Sequence, residues 1–495
     1  MELWLLVILL GLITYFIVKR SVANISQTPV WLLWLVLMTP GLIWCGWSLA
    51  FGEDQPIPPI LRVGPLVTCP LLYWWLIQLW RPKPEQNQSS NNYNTRSQEE
   101  PSSTAKSPEQ EQLSPISKSE ETALRNCFPW GLYYLQQIDY RPQAILCLGK
   151  LRGVPEEAYT KIKTNVEEAF GDRFLVIFQE SLQGKPFFAL VANPFHKSPQ
   201  QPTDPLTRPI LAVSLLFISL FTTTVIGVQI SGTDWSQVQS DPMVLLQGLP
   251  YSLAIVSILG CHELSHYLTA IYYKIRTTLP YFIPDMFFLG TLGAFIQKRS
   301  PVPHRKALFD VAIAGPIMGL VVTVPLLLWG LSLSHIVELP EQSNFLNFEA
   351  LDPRFSFLLS LLGKIALGSQ FTPGVAIALH PLAVAGYIGL IFTALKLMPV
   401  GKLDGGSIVH AVFGQRTAFN IGQVTRLLMF LLALIQRDFL IFAIILLLLP
   451  PGDQPALNDV TELDNWRDIS GLFCLILLVS ILLPLPGAVA QWLNI

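Results

Sequence analysis

The chain has 495 residues, of which 51% are hydrophobic and only 13% are Asp, Glu, Lys or Arg, with a formal net charge of −2. A soluble surface carries about 25% charged residues, so a wholly water-facing protein is excluded and the chain is predicted to be integral to a lipid bilayer. The balanced charge also argues against a nucleic-acid partner, and six scattered cysteines without CxxC spacing read as reduced packing residues rather than a disulfide framework.

The first apolar run, Leu3 to Val18, ends in Lys19-Arg20. Its charges follow the apolar stretch instead of preceding it, so it reads as a retained span rather than a cleaved signal. Further apolar stretches cover about Trp31–Phe51 and Val63–Trp80, the latter followed by Arg81-Pro82-Lys83. The basic residues share one side of this three-span bundle, which places the following segment in the cytoplasm by the positive-inside rule. From Pro84 to Glu121 the sequence is rich in Gln, Asn, Ser, Glu and Pro. Such a composition buries too little apolar surface to offset chain entropy and predicts a disordered linker.

Between Cys127 and Pro194 the texture is that of a small soluble α+β unit. Residues 144–148, 174–178 and 187–191 read as strands, and Pro155-Glu156-Glu157-Ala158 opens a helix with acids in its first turn. After a Pro-rich linker, Ser198–Pro209, spans are predicted at about Ile210–Ile230, Met243–Ile275, Ala307–Leu333, Val375–Leu397, Leu427–Leu449 and Gly471–Leu485, the fifth broken near Arg437-Asp438. The stretch Leu279–Gln297 contains Pro280, Pro284, Gly290 and Gly293. It is too interrupted to cross a hydrocarbon core of about 30 Å as a helix, so it is predicted to be a re-entrant hairpin covered by protein.

Inside Met243–Ile275 lies Cys261-His262-Glu263-Leu264-Ser265-His266, an HExxH motif. Residues four apart share one helix face, so the two imidazoles can converge on one metal while Glu263 reaches a water activated there. Ionisable residues within a span are costly and point to function. A catalytic zinc takes three protein ligands, and the best third candidate is Asp404 in Met398-Pro399-Val400-Gly401-Lys402-Leu403-Asp404-Gly405-Gly406. There Pro and Gly break the helix and let backbone approach a ligand closely. An alternative role for Asp404 is to cap the following helix, and the two are compatible. Gly315 and Gly319 read as a helix-packing contact without chemistry, and His410 as an ordinary polar residue rather than one supporting a metal ligand.

The HELSH span followed by Pro399-x-x-x-Leu403-Asp404-Gly405 resembles the site-2 protease family of intramembrane zinc metalloproteases, as do the hairpin 290–295 and the Ala314–Gly319 stretch. The linker, the α+β unit and Gly149-Lys150-Leu151-Arg152 resemble its plastid and photosynthetic-bacterial branch, the ethylene-dependent gravitropism-deficient and yellow-green type. The resemblance implies one zinc per chain held by His262, His266 and Asp404, with Glu263 as general base. Its other implications are transmembrane protein substrates, and a plasma or thylakoid membrane with the soluble unit and active site toward the cytoplasm. Lys396 stands where the family carries Asn, and Lys150 where the branch does, so electrostatic help from position 396 differs in charge and geometry. Substrate contacts fall to Gly290, Gly293 and Phe295 of the hairpin, whose exposed strand edge is predicted to capture an unwound substrate, and to Lys396 and Pro399.

The expected architecture is an all-α polytopic membrane protein of about 8–10 spans with a re-entrant hairpin and a small soluble α+β domain. Its predicted parts are a three-span bundle (1–82), a linker (83–122), the α+β domain (123–197), a linker (198–209), a metalloprotease core (210–420) and C-terminal spans (421–495). The competing class is a zinc-binding membrane scaffold, chaperone or transporter without hydrolytic activity.

Overall fold

The computed structural model describes residues 29–51, 118–141, 143–181, 184–193, 208–233, 240–285, 289–340, 347–435, 439–450 and 452–493, with isolated positions between them. Residues 1–105 and 106–495 form two compact units. In the first, the described helix α1 (Val30–Phe51) is apolar along its length. The predicted span 3–18, most of 63–80 and nearly all of the 83–122 linker lie outside the described residues, as does most of the 198–209 linker.

In the second unit, helix α2 (Lys118–Asn126) leads into strands β1 (Tyr133–Arg141) and β2 (Ala144–Leu151), helix α3 (Pro155–Phe170), and strands β3 (Phe174–Glu180) and β4 (Pro186–Ala192). The strands form one antiparallel sheet in the order β1-β2-β4-β3. Helix α3 starts at Pro155, whose fixed φ suits a first turn, and buries Ala158, Tyr159, Ile162 and Val166 on one face. Beneath it Phe178 and Phe188 stack at 4.2 Å and Tyr133 meets Phe188 edge-on at 5.0 Å. Val460, from the far end of the chain, completes this core.

The membrane core begins with α4 (Pro209–Ile230) and α5 (Leu249–Tyr272), the latter preceded by a 3-10 segment at Pro242–Gly248. Strands β5 (Tyr281–Pro284) and β6 (Thr291–Phe295) then pair antiparallel as a hairpin. Helix α6 (Arg305–Ser332), the pair β7 (His335–Glu338) and β8 (Val375–Ala378), and helices α7 (Phe357–Leu367) and α8 (Pro381–Leu397) follow. The chain closes with α9 (Asp404–Phe413), α10 (Gln415–Ile435), α11 (Leu440–Leu448), α12 (Asn465–Leu482) and α13 (Gly487–Leu493). Among the described residues, five helices are long and apolar enough to cross a membrane: Pro209–Ile230, Pro242–Tyr272, Arg305–Ser332, Gln415–Leu434 and Asn465–Leu482. Phe357–Gln370 and Pro381–Leu397 are shorter apolar helices.

One predicted span is shorter than its apolar run. Residues 375–378 are a strand paired with 335–338, and the helix starts only at Pro381, where His380 caps it by accepting from Leu382 N at 3.2 Å. Apolar β-branched residues ahead of a proline do not distinguish buried strand from span end. Helix α5 ends at Tyr272, and Lys274, two residues beyond it, takes a left-handed φ of 56°. Ile275 N then donates to Ala270 O and Lys274 N to Ile271 O, closing the last turn.

Candidate metal centre

The HExxH segment occupies the middle of α5, where His262, Glu263 and His266 are all buried. Asp404 is the first residue of α9, 142 positions later than His262. Helix packing brings the three proposed donors together. His262 Nε2 is 3.2 Å from His266 Nε2, and Asp404 Oδ2 is 3.2 Å and 3.3 Å from the same two nitrogens. The cap at Leu403 makes no side-chain hydrogen bond, and the Asp404 carboxylate faces the imidazoles. The capping alternative for Asp404 is therefore not what the structure shows.

The ring orientations have identifiable causes. His266 Nδ1 lies 2.6 Å from the carbonyl of Val311 on α6, and only a protonated nitrogen can donate there. Nε2 is then the lone-pair nitrogen, as metal ligation requires. Ser265 donates to Ala314 O at 3.0 Å, fastening α5 to α6 at the same level. Between these contacts α6 presents glycine to the rings. A β-carbon at Gly315 would stand 2.1 Å from His266 Nε2, and one at Gly319 3.0 Å from His262 Nδ1. The two glycines are thus the floor of the cluster, more than the generic helix contact read from sequence, because their bare faces meet imidazoles.

Asp404 is carried to the rings by a tight turn between α8 and α9. A β-carbon at Gly405 would collide with Leu397 O at 1.8 Å, and one at Gly406 would sit 2.3 Å from Gly401 O. The glycines expected to admit a ligand instead admit the backbone of the turn itself. Pro399 lies buried in that turn, its carbonyl set against Gly422 of α10. Lys396, in the last turn of α8, places Nζ 3.2 Å from Glu263 Oε1 and 5.4 Å from the centroid of Phe392.

The hairpin residues sit close by. Gly290 has φ 80° and packs on Thr223 of α4, with Thr222 Oγ1 donating to its carbonyl at 2.6 Å. Gly293, with φ 115°, faces the ring of Phe392, which also meets His262 edge-on at 5.6 Å. Phe295 is partly exposed beside Tyr281. Among the described residues β6 pairs with β5 alone.

Several residues escaped the sequence reading. Phe392 links hairpin, His262 and Lys396, and Arg305 donates to the carbonyls of Ala411 and Val412 at the end of α9 at 2.9 Å and 3.3 Å. His410 is no ordinary polar residue, since its Nε2 lies 3.1 Å from both oxygens of Asp459. None of these has a local signal, because each depends on a partner distant in the chain.

The donor set fits zinc. Atoms at about 2.0 Å from a tetrahedral ion are about 3.3 Å apart, and the three donors form such a triangle with sides of 3.2, 3.2 and 3.3 Å. With both imidazoles neutral, the two rings and the carboxylate would bring more lone pairs than protons to one point, which a shared cation would relieve. Among the described residues this is the one group of three or more His, Cys, Asp or Glu able to hold a metal ion.

Comparison with known proteins agrees with this chemistry. The description "Peptidase family M50" matches residues 250–435, and "EGY3 middle domain" matches 122–199. "Probable zinc metalloprotease EGY1, chloroplastic" of Arabidopsis thaliana is 30% identical over 381 residues, covering 71% of this chain and 68% of that protein. "Probable zinc metalloprotease EGY2, chloroplastic" of the same plant is 30% identical over 363 residues, 73% of this chain and 64% of its own length. "Probable zinc metallopeptidase EGY3, chloroplastic" is 24% identical over 385 residues, 73% and 67% respectively. The chain thus spans about two thirds of these relatives. No solved structure matches it. With a His-His-Asp cluster among apolar helices and these relatives along most of its length, the chain belongs to peptidase family M50, as a multi-pass membrane protein of the EGY type of zinc metalloproteases.

Proposed function

We propose that the protein is a zinc-dependent intramembrane endopeptidase that hydrolyses peptide bonds in transmembrane segments of other membrane proteins. The observation that carries this reading is the triangle of His262 Nε2, His266 Nε2 and Asp404 Oδ2, set beside a buried Glu263. When bound, a single zinc supplies the electrophile and acidifies a water at its open position.

Glu263 follows His262 on α5 and acts as the base that removes a proton from the attacking water and returns it to the departing amine. Lys396, at 3.2 Å from Glu263, supplies a positive charge near the carbonyl oxygen as negative charge develops there. The unpaired edge of β6 captures the substrate as an added strand, which exposes a peptide carbonyl that a helix would hide. Gly290, Gly293 and Phe295 shape that edge, and Pro399 fixes the turn that presents Asp404. The hairpin is re-entrant, and the site and α+β unit face the cytoplasm. The chloroplast location in the relatives' names supports a thylakoid membrane.

The contact between Lys396 and Glu263 favours a second reading, in which the base is neutralised and the protein is a zinc-holding scaffold. Replacing Glu263→Gln separates the two. The protease reading expects retained zinc and loss of cleavage of a co-expressed single-span substrate by at least about a hundredfold. Unchanged cleavage, or a purified protein without zinc, would reject it.

A further inference from the structure

Helix α9 carries Asp404 in its first turn, and everything that holds its remaining turns comes from outside the metal cluster. Ser407 donates to Asp453 Oδ2 at 2.6 Å, and His410 contacts Asp459 at 3.1 Å. The guanidinium of Arg305 donates to the carbonyls of Ala411 and Val412 in the last turn of the helix. Asp453 and Asp459 belong to the connection between α11 and α12, far from α9 in sequence.

That connection is itself held by the α+β unit. Phe178 N on strand β3 donates to Leu457 O at 2.6 Å, and Asp459 N donates back to Phe178 O at 2.9 Å. On its other side Leu457 N reaches Val302 O at 2.8 Å and Asn458 N reaches Pro303 O at 3.0 Å, just ahead of Arg305. Residues 457–459 therefore lie between the outer edge of the sheet and the start of α6, bridged to both. Val460, next along the chain, is packed into the core of the α+β unit. Asp459 thus presents its backbone to the four-stranded sheet and its side chain to the helix of Asp404. A cavity of about 450 Å³ opens beside this junction, lined by Glu180 at the end of β3 and Ser181 just after it, by Gly401 of the turn before Asp404 and Gly406 of its helix, and by His410 and Asp459. Ile408 and Ala411 pack the helix into the core, and on the flank that faces this open space the side-chain ties to Asp453 and Asp459 hold it.

We infer that Asp459 is a positioning residue, through which the α+β unit sets the placement of α9 and so the reach of Asp404 to the two histidines. The α+β unit then controls metal affinity directly. A partner that shifted β3 would loosen or tighten the metal site without touching it. This inference rests on the zinc reading above, and the experiment separates the two.

The full-length protein, stripped of metal in detergent, is titrated with Co²⁺ while its visible absorption is recorded, since intensity reports coordination geometry as well as affinity. Asp459→Ala cuts the tie to His410 but keeps the backbone bridge to Phe178. The expected result is Co²⁺ affinity lower by about 10- to 100-fold with altered band intensity, the range seen when supports of metal ligands are removed, and partial recovery in Asp459→Glu. Unchanged affinity and spectrum in Asp459→Ala would overturn the inference. If Asp459→Ala cannot be purified folded, His410→Gln, which removes the charged partner of Asp459 on α9 and keeps the backbone bridge to Phe178, is read in its place. A loss of about threefold or more in Co²⁺ affinity supports the inference, and no loss overturns it. Asp404→Ala is the separate arm: intact Co²⁺ binding there would defeat the zinc reading itself, whatever Asp459 does.

Discussion

Gly315 of α6 lies so close to His266 that a β-carbon at this position would stand 2.1 Å from Nε2, far inside van der Waals contact. Gly315→Ala therefore has to push the imidazole away from the shared point of the three donors. Zinc affinity is expected to fall by about 10- to 100-fold, measured as metal retained after dialysis against a chelator. Full retention would mean that α6 gives way instead of the ring.

Lys396 faces a carboxylate that is almost wholly buried, Glu263 being 2% exposed. Removing the ammonium in Lys396→Met strands that carboxylate, at a cost of about 3–5 kcal/mol. The double variant with Glu263→Gln should recover most of the loss, because no buried charge is left unpaired. Denaturant titration of the three variants in detergent measures the coupling, and additive losses would show that the two residues do not act as a pair.

Gly290 combines a φ of 80° with a backbone contact that would leave an added β-carbon 2.5 Å from Thr223 Cα. Gly290→Ala is expected to lift the hairpin from α4 and to lower substrate cleavage by at least about tenfold, since the edge strand then loses its position. Zinc content should stay at the wild-type level, because no donor touches Gly290. Equal loss of zinc and cleavage would place the effect in the whole core instead.

His410 lies on α9, a helix of 10 residues that is not among those long and apolar enough to cross a membrane. Burial lowers its pKa, but the carboxylates of Asp453 at 3.9 Å and Asp459 at 3.1 Å outweigh that and raise it to about 9. Arg305 acts on the backbone carbonyl of the same residue. A folded-state value above the ordinary histidine pKa of about 6.5 means that the pair stabilises fully below that pH and loses its effect as pH climbs through 9. The whole effect is on the order of 3 kcal/mol. Thermal melting of wild type and His410→Gln should therefore differ most near about pH 6 and converge by about pH 10. A gap that stays constant across that range would show that the charge of His410 contributes nothing.

Much of this was legible in the chain. The apolar runs give α4, α5, α6 and α12 to within a few residues at most ends, because a helix crossing lipid must satisfy its own backbone and be apolar throughout. Strands β2, β3 and β4 were legible from short apolar runs, whereas β1, written Tyr133-Tyr134-Leu135-Gln136-Gln137-Ile138, was hidden by its polar edge residues. The helix α7 and the strand at 375–378 were missed because a short apolar run does not declare its period.

The sequence alone determined that His262, Glu263 and His266 share one region of one helix, since a spacing of four residues is a property of the helix itself. It also made Asp404 the best candidate for a third donor, as few acids lie within apolar surroundings. Only the tertiary structure decided that Asp404 Oδ2 comes within 3.2 Å and 3.3 Å of the two nitrogens, that two glycines form the floor beneath the rings, and that Asp459 joins the four-stranded sheet to α9. These are distances between helices packed across long separations in the chain, and no local propensity encodes them. They follow from how side chains and bare glycine faces fit together once the helices meet.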